Sequence, residues 1–260
     1  VPHLKKLKQQ GEKFACLTAY DYSFGKVVEQ CGVEVVLVGD SLGMVIQGHD
    51  TTIPVTLDDI KYHARAVNAA LDNAMLMVDM PFGSLNSPQQ ALDNASDVLK
   101  ATQAQVVKLE GGITQIKTVE MLCSYGIASC AHLGLQPQQV HKMGGYRVQG
   151  KTKNSADQML ATACDLEQAG ADLLLLECVP ATLAALITKT LEIPVIGIGA
   201  GTDVDGQILV LHDILNVTSG KKPKFSKNFM QGQPSIQAAI SRYVHEVKRG
   251  QFPDQSHCFA

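Results

Sequence analysis

The sequence predicts a single (β/α)8 barrel, a TIM barrel, with a C-terminal helix, and three observations carry that prediction. The 260 residues match the roughly 250 typical of one such barrel. Eight short apolar runs recur along the chain, separated by segments with helical spacing. No Pro/Gly/Ser linker, low-complexity tract or internal repeat divides it, so residues 1–260 read as one domain.

The runs are 14–21 (FACLTAYD), 33–41 (VEVVLVGDS), 74–81 (AMLMVDMP), 105–111 (QVVKLEG), 127–133 (IASCAHL), 172–179 (DLLLLECV), 194–201 (PVIGIGAG) and a weaker 214–218 (ILNVT). They are continuous rather than alternating, as in parallel strands covered on both faces. Helices are expected over 57–71, 87–102, 113–124, 155–169 and 181–191, with 235–249 as a terminal helix stopped by Gly250. Ser87 and Pro88 supply an N-cap and a proline at the first helical position. The longest connection without a clear helix, 136–153, carries GGYRVQGK and reads equally as a lid or as a surface loop. An open doubly wound sheet is the rival arrangement of the same elements.

A hydrophobic fraction of 45% against 18% charged residues belongs to a globular domain. No run reaches the ~18 apolar residues of a spanning helix, and residues 1–10 lack the apolar centre of a signal peptide, so a cytoplasmic protein is expected. The net charge of −3 leaves no basic face for nucleic acid. The one basic run, Lys221, Lys222, Lys224 and Lys227, reads as a solvated loop, with binding of an anionic cosubstrate tail as the alternative. The seven cysteines form no C-x-x-C pair and read as reduced packing residues.

Chemistry enters where the apolar runs end. Asp21, Asp40 with Ser41, Asp79, Lys108 with Glu110, His132 and Glu177 stand at or near the ends of six successive runs. In a closed barrel those ends converge on one pocket. A strand-end Asp taken alone is more often a helix N-cap or turn residue, and a strand-end His more often a hydrogen-bonded packing residue. Carboxylates confined together repel one another unless a cation or shared protons offset them. Without a His/Cys ligand set, a hard ion such as Mg2+ is the match, with Asp40 and Asp79 as ligands and Glu110 binding directly or through water. A 2-oxo acid chelated by its carboxylate and ketone oxygens would complete such a site, with the metal stabilising an enolate.

The motifs VLVGDSLGMVIQGHD, TTIPVTLDDI, VDMPF, VKLEGG, AHLGLQPQ, GGYRVQG, LLECVP and IPVIGIGAG resemble those of the ketopantoate hydroxymethyltransferase family, from about Phe14 to the terminal HCFA. GDSLGM and GGYRVQG are long and distinctive; GIGAG alone is weak. The resemblance implies transfer of a hydroxymethyl group from 5,10-methylenetetrahydrofolate to 3-methyl-2-oxobutanoate, giving ketopantoate for pantothenate and coenzyme A. It also implies Mg2+ and a homo-oligomer, typically a decamer. Carried onto this chain, it implies metal ligands at Asp40, Asp79 and Glu110, and substrate contacts at Asp40, Ser41, Asp79, Lys108 and His132. Glu177 is the implied proton acceptor.

On that reading Glu177 removes the C3 proton of the oxo acid, Lys108 faces its carboxylate, and Ser41 and His132 supply hydrogen bonds. Structural alternatives are an ion pair of Lys108 with Glu110 and an inter-strand salt bridge for Glu177, while His49 and Asp50 read as loop. Two rival functions stay open. One is Mg2+-dependent C–C lyase or phosphonomutase action on a 2-oxo acid; the other is a catalytically silent binding barrel, against which the complete acidic set argues.

Overall fold

The chain runs α1 (Pro2–Gln10), β1 (Phe14–Thr18), α2 (Tyr22–Gln30), β2 (Val35–Val38), α3 (Leu42–Val45), α4 (Leu57–Asn68) and β3 (Met75–Asp79). It continues through α5 (Pro88–Thr102), β4 (Val106–Glu110), α6 (Ile116–Ser124), β5 (Ser129–Gly134), α7 (Val140–Met143), α8 (Lys153–Gln168) and β6 (Leu173–Glu177). The last elements are α9 (Ala181–Thr190), β7 (Val195–Ile198), β8 (Gly206–Leu209), α10 (Leu211–Ile214) and α11 (Ile236–Lys248). The structure is a computed structural model and describes residues 1–218 and 222–259. All eight strands pair in parallel in chain order, and β8 pairs back to β1, so the sheet is a closed barrel.

The continuous apolar runs explain the strands: β1, β2, β4, β5, β7 and β8 are buried at every position, as strands must be when helices cover one face and the barrel interior the other. The helices begin where local chemistry caps them. Thr56 and Asp59 form a reciprocal capping box on α4, Ser87 accepts from the backbone N–H of Gln90 on α5, and Ser235 does the same for Ala238 on α11. Among the described residues no helix is long and apolar enough to cross a membrane.

The eighth strand is a correction. It lies at Gly206–Leu209, and the predicted 214–218 run begins at the last residue of α10. The polar Gln207 and the glycine mask the true strand, whereas the apolar Ile214 and Leu215 of the predicted run end helix α10 and are followed by Asn216 in the left-handed region (φ 63). Gly206 is required there: a Cβ would lie 2.3 Å from the Phe14 ring, its register partner on β1.

Two elements outside the sheet fasten the barrel near the point where its first and last strands meet. Leu4 of α1 is buried, and Lys8 pairs with Asp205 at 2.9 Å while Lys13 donates to the Val204 carbonyl, so the N-terminal segment is tied to the β7–β8 connection. At the seam between β1 and β8, the buried Tyr243 of α11 places its hydroxyl 2.9 Å from the Cys16 carbonyl and 2.8 Å from that of Gln207. Tyr243→Phe should therefore lower stability by about 1–2 kcal/mol, a melting shift of a few degrees, with turnover at 25 °C unchanged. Thermal melts beside an activity assay test this.

Two of the three described lysines of the basic run have partners. Lys224 donates to the Cys258 carbonyl and lies over the Phe259 ring, and Lys227 pairs with Glu246 at 2.6 Å, whereas Lys222 is exposed. Lys221, like Ala260 of the HCFA end, lies outside the described residues. All seven cysteines are free.

Candidate active site

Register places the strand-end residues side by side. Asp79 on β3 is opposite Lys108 on β4, Glu110 opposite His132 on β5, and Gly134 opposite Glu177 on β6. Lys108 and Glu110, two apart on one strand, point into the same space. Asp40 lies just beyond β2 and joins them through its backbone N–H, 3.3 Å from Asp79 Oδ2.

Lys108 is the hub. Its Nζ lies 2.9 and 2.8 Å from the two oxygens of Asp79 and 3.5 Å from Glu110 Oε1. Burial works against its ammonium, yet Asp79, Glu110 and Asp40 together raise its pKa above the ordinary lysine value. Burial and the neighbouring Asp79 push Asp40 well up, and burial raises Asp79 as well. Burial also opposes ionisation of Glu110, but Lys108, His132 and the Gln138 backbone N–H hold it below the usual range.

His132 stands between two carboxylates, Nδ1 3.2 Å from Glu110 Oε1 and Nε2 3.4 Å from Glu177 Oε2. Neither approach has hydrogen-bond direction, so both ring nitrogens and Glu110 Oε1 are buried without a hydrogen bond, and the contacts are electrostatic. Burial and Lys108 disfavour the imidazolium; Glu110 and Glu177 outweigh them and raise its pKa to about 9.

Glu177 differs from the rest in access. Its side chain is 14% exposed, against 5% or less for Asp79, Lys108, Glu110 and His132. Its strand neighbours Leu173 to Leu176 are buried, and the next residue, Cys178, is held in the left-handed region (φ 50) with its N–H on the Ile198 carbonyl. Gly134 is needed opposite, because a Cβ there would sit 2.1 Å from the Glu177 carbonyl oxygen. Ser41 Oγ is 2.8 Å from the buried Tyr20 hydroxyl.

Asp21 does not belong to this group. It is exposed and caps α2, accepting from the Phe24 N–H at 2.9 Å, so the helix-capping alternative holds there. His49 and Asp50 are exposed loop residues. The 136–153 connection contains a short 3-10 turn (Pro137–Gln139) and α7. It crosses the mouth of the site: Gln149 N–H bonds the Cys178 carbonyl at 3.0 Å, and the Tyr146 hydroxyl reaches Met44 Sδ at 3.8 Å. A cavity of about 430 Å3 opens beside the cluster between the loops that follow β3, β4 and β5, with Glu110 and Gln138 in its wall. The residues sequence reasoning passed over are Gln138 and Tyr20; neither carries a charge or a periodicity that marks it in the sequence.

As the side chains stand, no group of three His, Cys, Asp or Glu among the described residues is arranged to hold a metal ion, and Lys108 is the cation at the centre. The donors nonetheless fit a hard cation. Asp40, Asp79 and Glu110 are buried and offer only oxygens, their mutual repulsion favours added positive charge, and Glu110 Oε1 has no hydrogen bond of its own.

A family model described as ketopantoate hydroxymethyltransferase matches residues 1–255. The chain is 57% identical over 259 residues to a 3-methyl-2-oxobutanoate hydroxymethyltransferase of Alkalilimnicola ehrlichii, covering 100% of this chain and 94% of that protein. It is 53% identical over 256 residues to the protein of the same name from Marinobacter nauticus, covering 98% and 97%. Among solved structures, phosphonopyruvate hydrolase in complex with oxalate and Mg++ superposes with a TM-score of 0.63 at 15% identity, over 95% of this chain and 96% of that one. At that identity the likeness is one of fold.

Proposed function

Because the chain belongs to the ketopantoate hydroxymethyltransferase family and is a hydroxymethyl-transferring enzyme, we propose that its donor is 5,10-methylenetetrahydrofolate and its acceptor 3-methyl-2-oxobutanoate. The product is then ketopantoate, feeding pantothenate and coenzyme A synthesis. The observation that carries this reading is the row Asp40, Asp79, Lys108, Glu110, His132 and Glu177, gathered from five strand ends onto one face of the barrel.

In this assignment Asp40 and Asp79 hold Mg2+, with Glu110 binding directly or through water. For that, Asp79 must give up part of its contact with Lys108, which frees the ammonium for the substrate carboxylate. When bound, Mg2+ supplies positive charge at the ketone oxygen, where negative charge develops as the C3 proton leaves. Asp40 and Asp79 also line the acceptor site, and Ser41 and His132 hydrogen-bond the acid. Glu177, more exposed than its neighbours, takes the proton from C3. The C3 carbon then bonds to the methylene carbon of the donor's iminium form, and water supplies the hydroxyl oxygen as the bond from that carbon to the folate nitrogen breaks, releasing tetrahydrofolate. The 136–153 connection, crossing the mouth, limits access to the site.

Residues 1–260 act in this proposal as one catalytic domain, assembled as a homodecamer. The free cysteines suit the cytoplasm, where we place the reaction.

The test is NMR detection of deuterium uptake at C3 of 3-methyl-2-oxobutanoate in heavy water, with and without Mg2+, followed by addition of the folate. Exchange that needs Mg2+, and ketopantoate once folate is present, is the expected result. Folded, Mg2+-loaded protein that gave neither would favour the lyase or the catalytically silent binding-barrel reading.

A further inference from the structure

Gln138 lies in the 3-10 turn after β5, carries no charge, and is 7% exposed. Its backbone N–H donates to Glu110 Oε2 at 3.1 Å. Its side-chain amide donates to Asp40 Oδ2 at 2.9 Å and to the Met80 carbonyl at 3.0 Å. Both side-chain partners are acceptors, so only the NH2 end of the amide can face them, and the orientation is fixed by chemistry. One residue of the β5 loop is thus tied to the ends of β2, β3 and β4.

The donor on Asp40 matters because the other donors are engaged elsewhere. Lys108 is spent on Asp79 and Glu110, and among the described residues Gln138 makes the one side-chain hydrogen bond that the Asp40 carboxylate accepts. A carboxylate turned toward a ligand must be held from behind, and the charge of that holding group decides what is left for the ligand. An ammonium or guanidinium there would neutralise Asp40. An amide fixes Oδ2 and leaves the negative charge in place, with Oδ1 unengaged.

We propose that Gln138 is a positioning residue, an uncharged clamp that orients Asp40 and Glu110 for cation binding and couples that geometry to the loop crossing the mouth of the site. The proposal rests on the assignment of Asp40 to the cation. If the amide is removed with its volume and backbone kept, Asp40 loses its one side-chain hydrogen bond, while Glu110 keeps the bond from the main-chain N–H of residue 138. Partners behind metal ligands typically contribute 10–100-fold in affinity.

The experiment is calorimetric titration of Mg2+ into the parent protein, Gln138→Met and Gln138→Asn, each with 3-methyl-2-oxobutanoate present, alongside thermal melts and steady-state kinetics. Gln138→Met keeps the main-chain bond to Glu110 and fills the space; Gln138→Asn keeps the amide on an arm one carbon too short and serves if the Met variant fails to fold. The expected result is a Mg2+ Kd raised at least tenfold in the folded variant, with the apparent KM for the acid rising more than kcat falls. A parent-like Kd in a folded variant, whatever its melting temperature, would reduce Gln138 to loop packing and overturn the proposal. Parent protein that bound no Mg2+ would instead remove the assignment of Asp40, and the proposal with it.

Discussion

Glu177→Gln should keep its affinity for the oxo acid and Mg2+ and lose C3 proton exchange, with turnover falling about 10^2–10^4-fold. The change replaces one oxygen with NH2 and leaves the shape of the side chain. The backbone around it is held independently, since the Glu177 carbonyl accepts from Leu135 N–H at 2.8 Å and Cys178 N–H bonds Ile198. Nothing in the cluster of Asp40, Asp79 and Lys108 depends on Glu177 for a hydrogen bond. Binding and chemistry should therefore separate in this variant. Proton exchange at the parent rate would require another base, and no other carboxylate of the cluster is as open to a substrate.

Asp79→Ala should fail differently, losing metal binding and turnover together and weakening the fold. Lys108 is buried, and both oxygens of Asp79 lie within 3 Å of its ammonium. Removing one partner of a buried pair costs about 3–5 kcal/mol, because the remaining charge stays desolvated. Glu110, 3.5 Å away, offsets part of this, so about 3 kcal/mol and a melting temperature lower by roughly 5–10 °C are expected without ligands. Melting curves and Mg2+ titration of the same preparation measure both effects. A variant that melted like the parent and still bound Mg2+ would remove Asp79 from the centre of the site.

What could be read from sequence follows from how loudly each residue speaks. Strands such as LLLLE and VVKLE announce themselves because both faces are buried, and a charge at the end of an apolar run is conspicuous; hence Asp79, Glu110 and Glu177 were legible one by one. Gly206-Gln207 was not, since a glycine demanded by the Phe14 ring and a polar neighbour look like a turn. Asp21 was misleading for the opposite reason, because a capping carboxylate and a functional one have the same letter and the same position after a strand. Gln138 was silent: an amide in a loop has no charge or periodicity to mark it, and its value appears only once three other strands bring acceptors to it. The central position of Lys108 was legible only in part, for Glu110 lies two residues on in the same strand, whereas Asp79 meets it only through the β3–β4 register.

The seam fastened by Tyr243 has a bearing on how the protein comes into being. Phe14 and Gly206 meet across it although about 190 residues separate them, so the last strand pair is the most entropically demanding of the eight. A ribosome delivering the chain presents β1 early, and that strand has one exposed edge until Gly206–Leu209 arrives; the hydroxyl that bridges the two edges comes later still. Until then the nascent sheet is an open ribbon with an apolar border at β1, the form in which parallel sheets recruit wrong neighbours. The fastening of the finished barrel is thus also the end of its period of greatest exposure to aggregation.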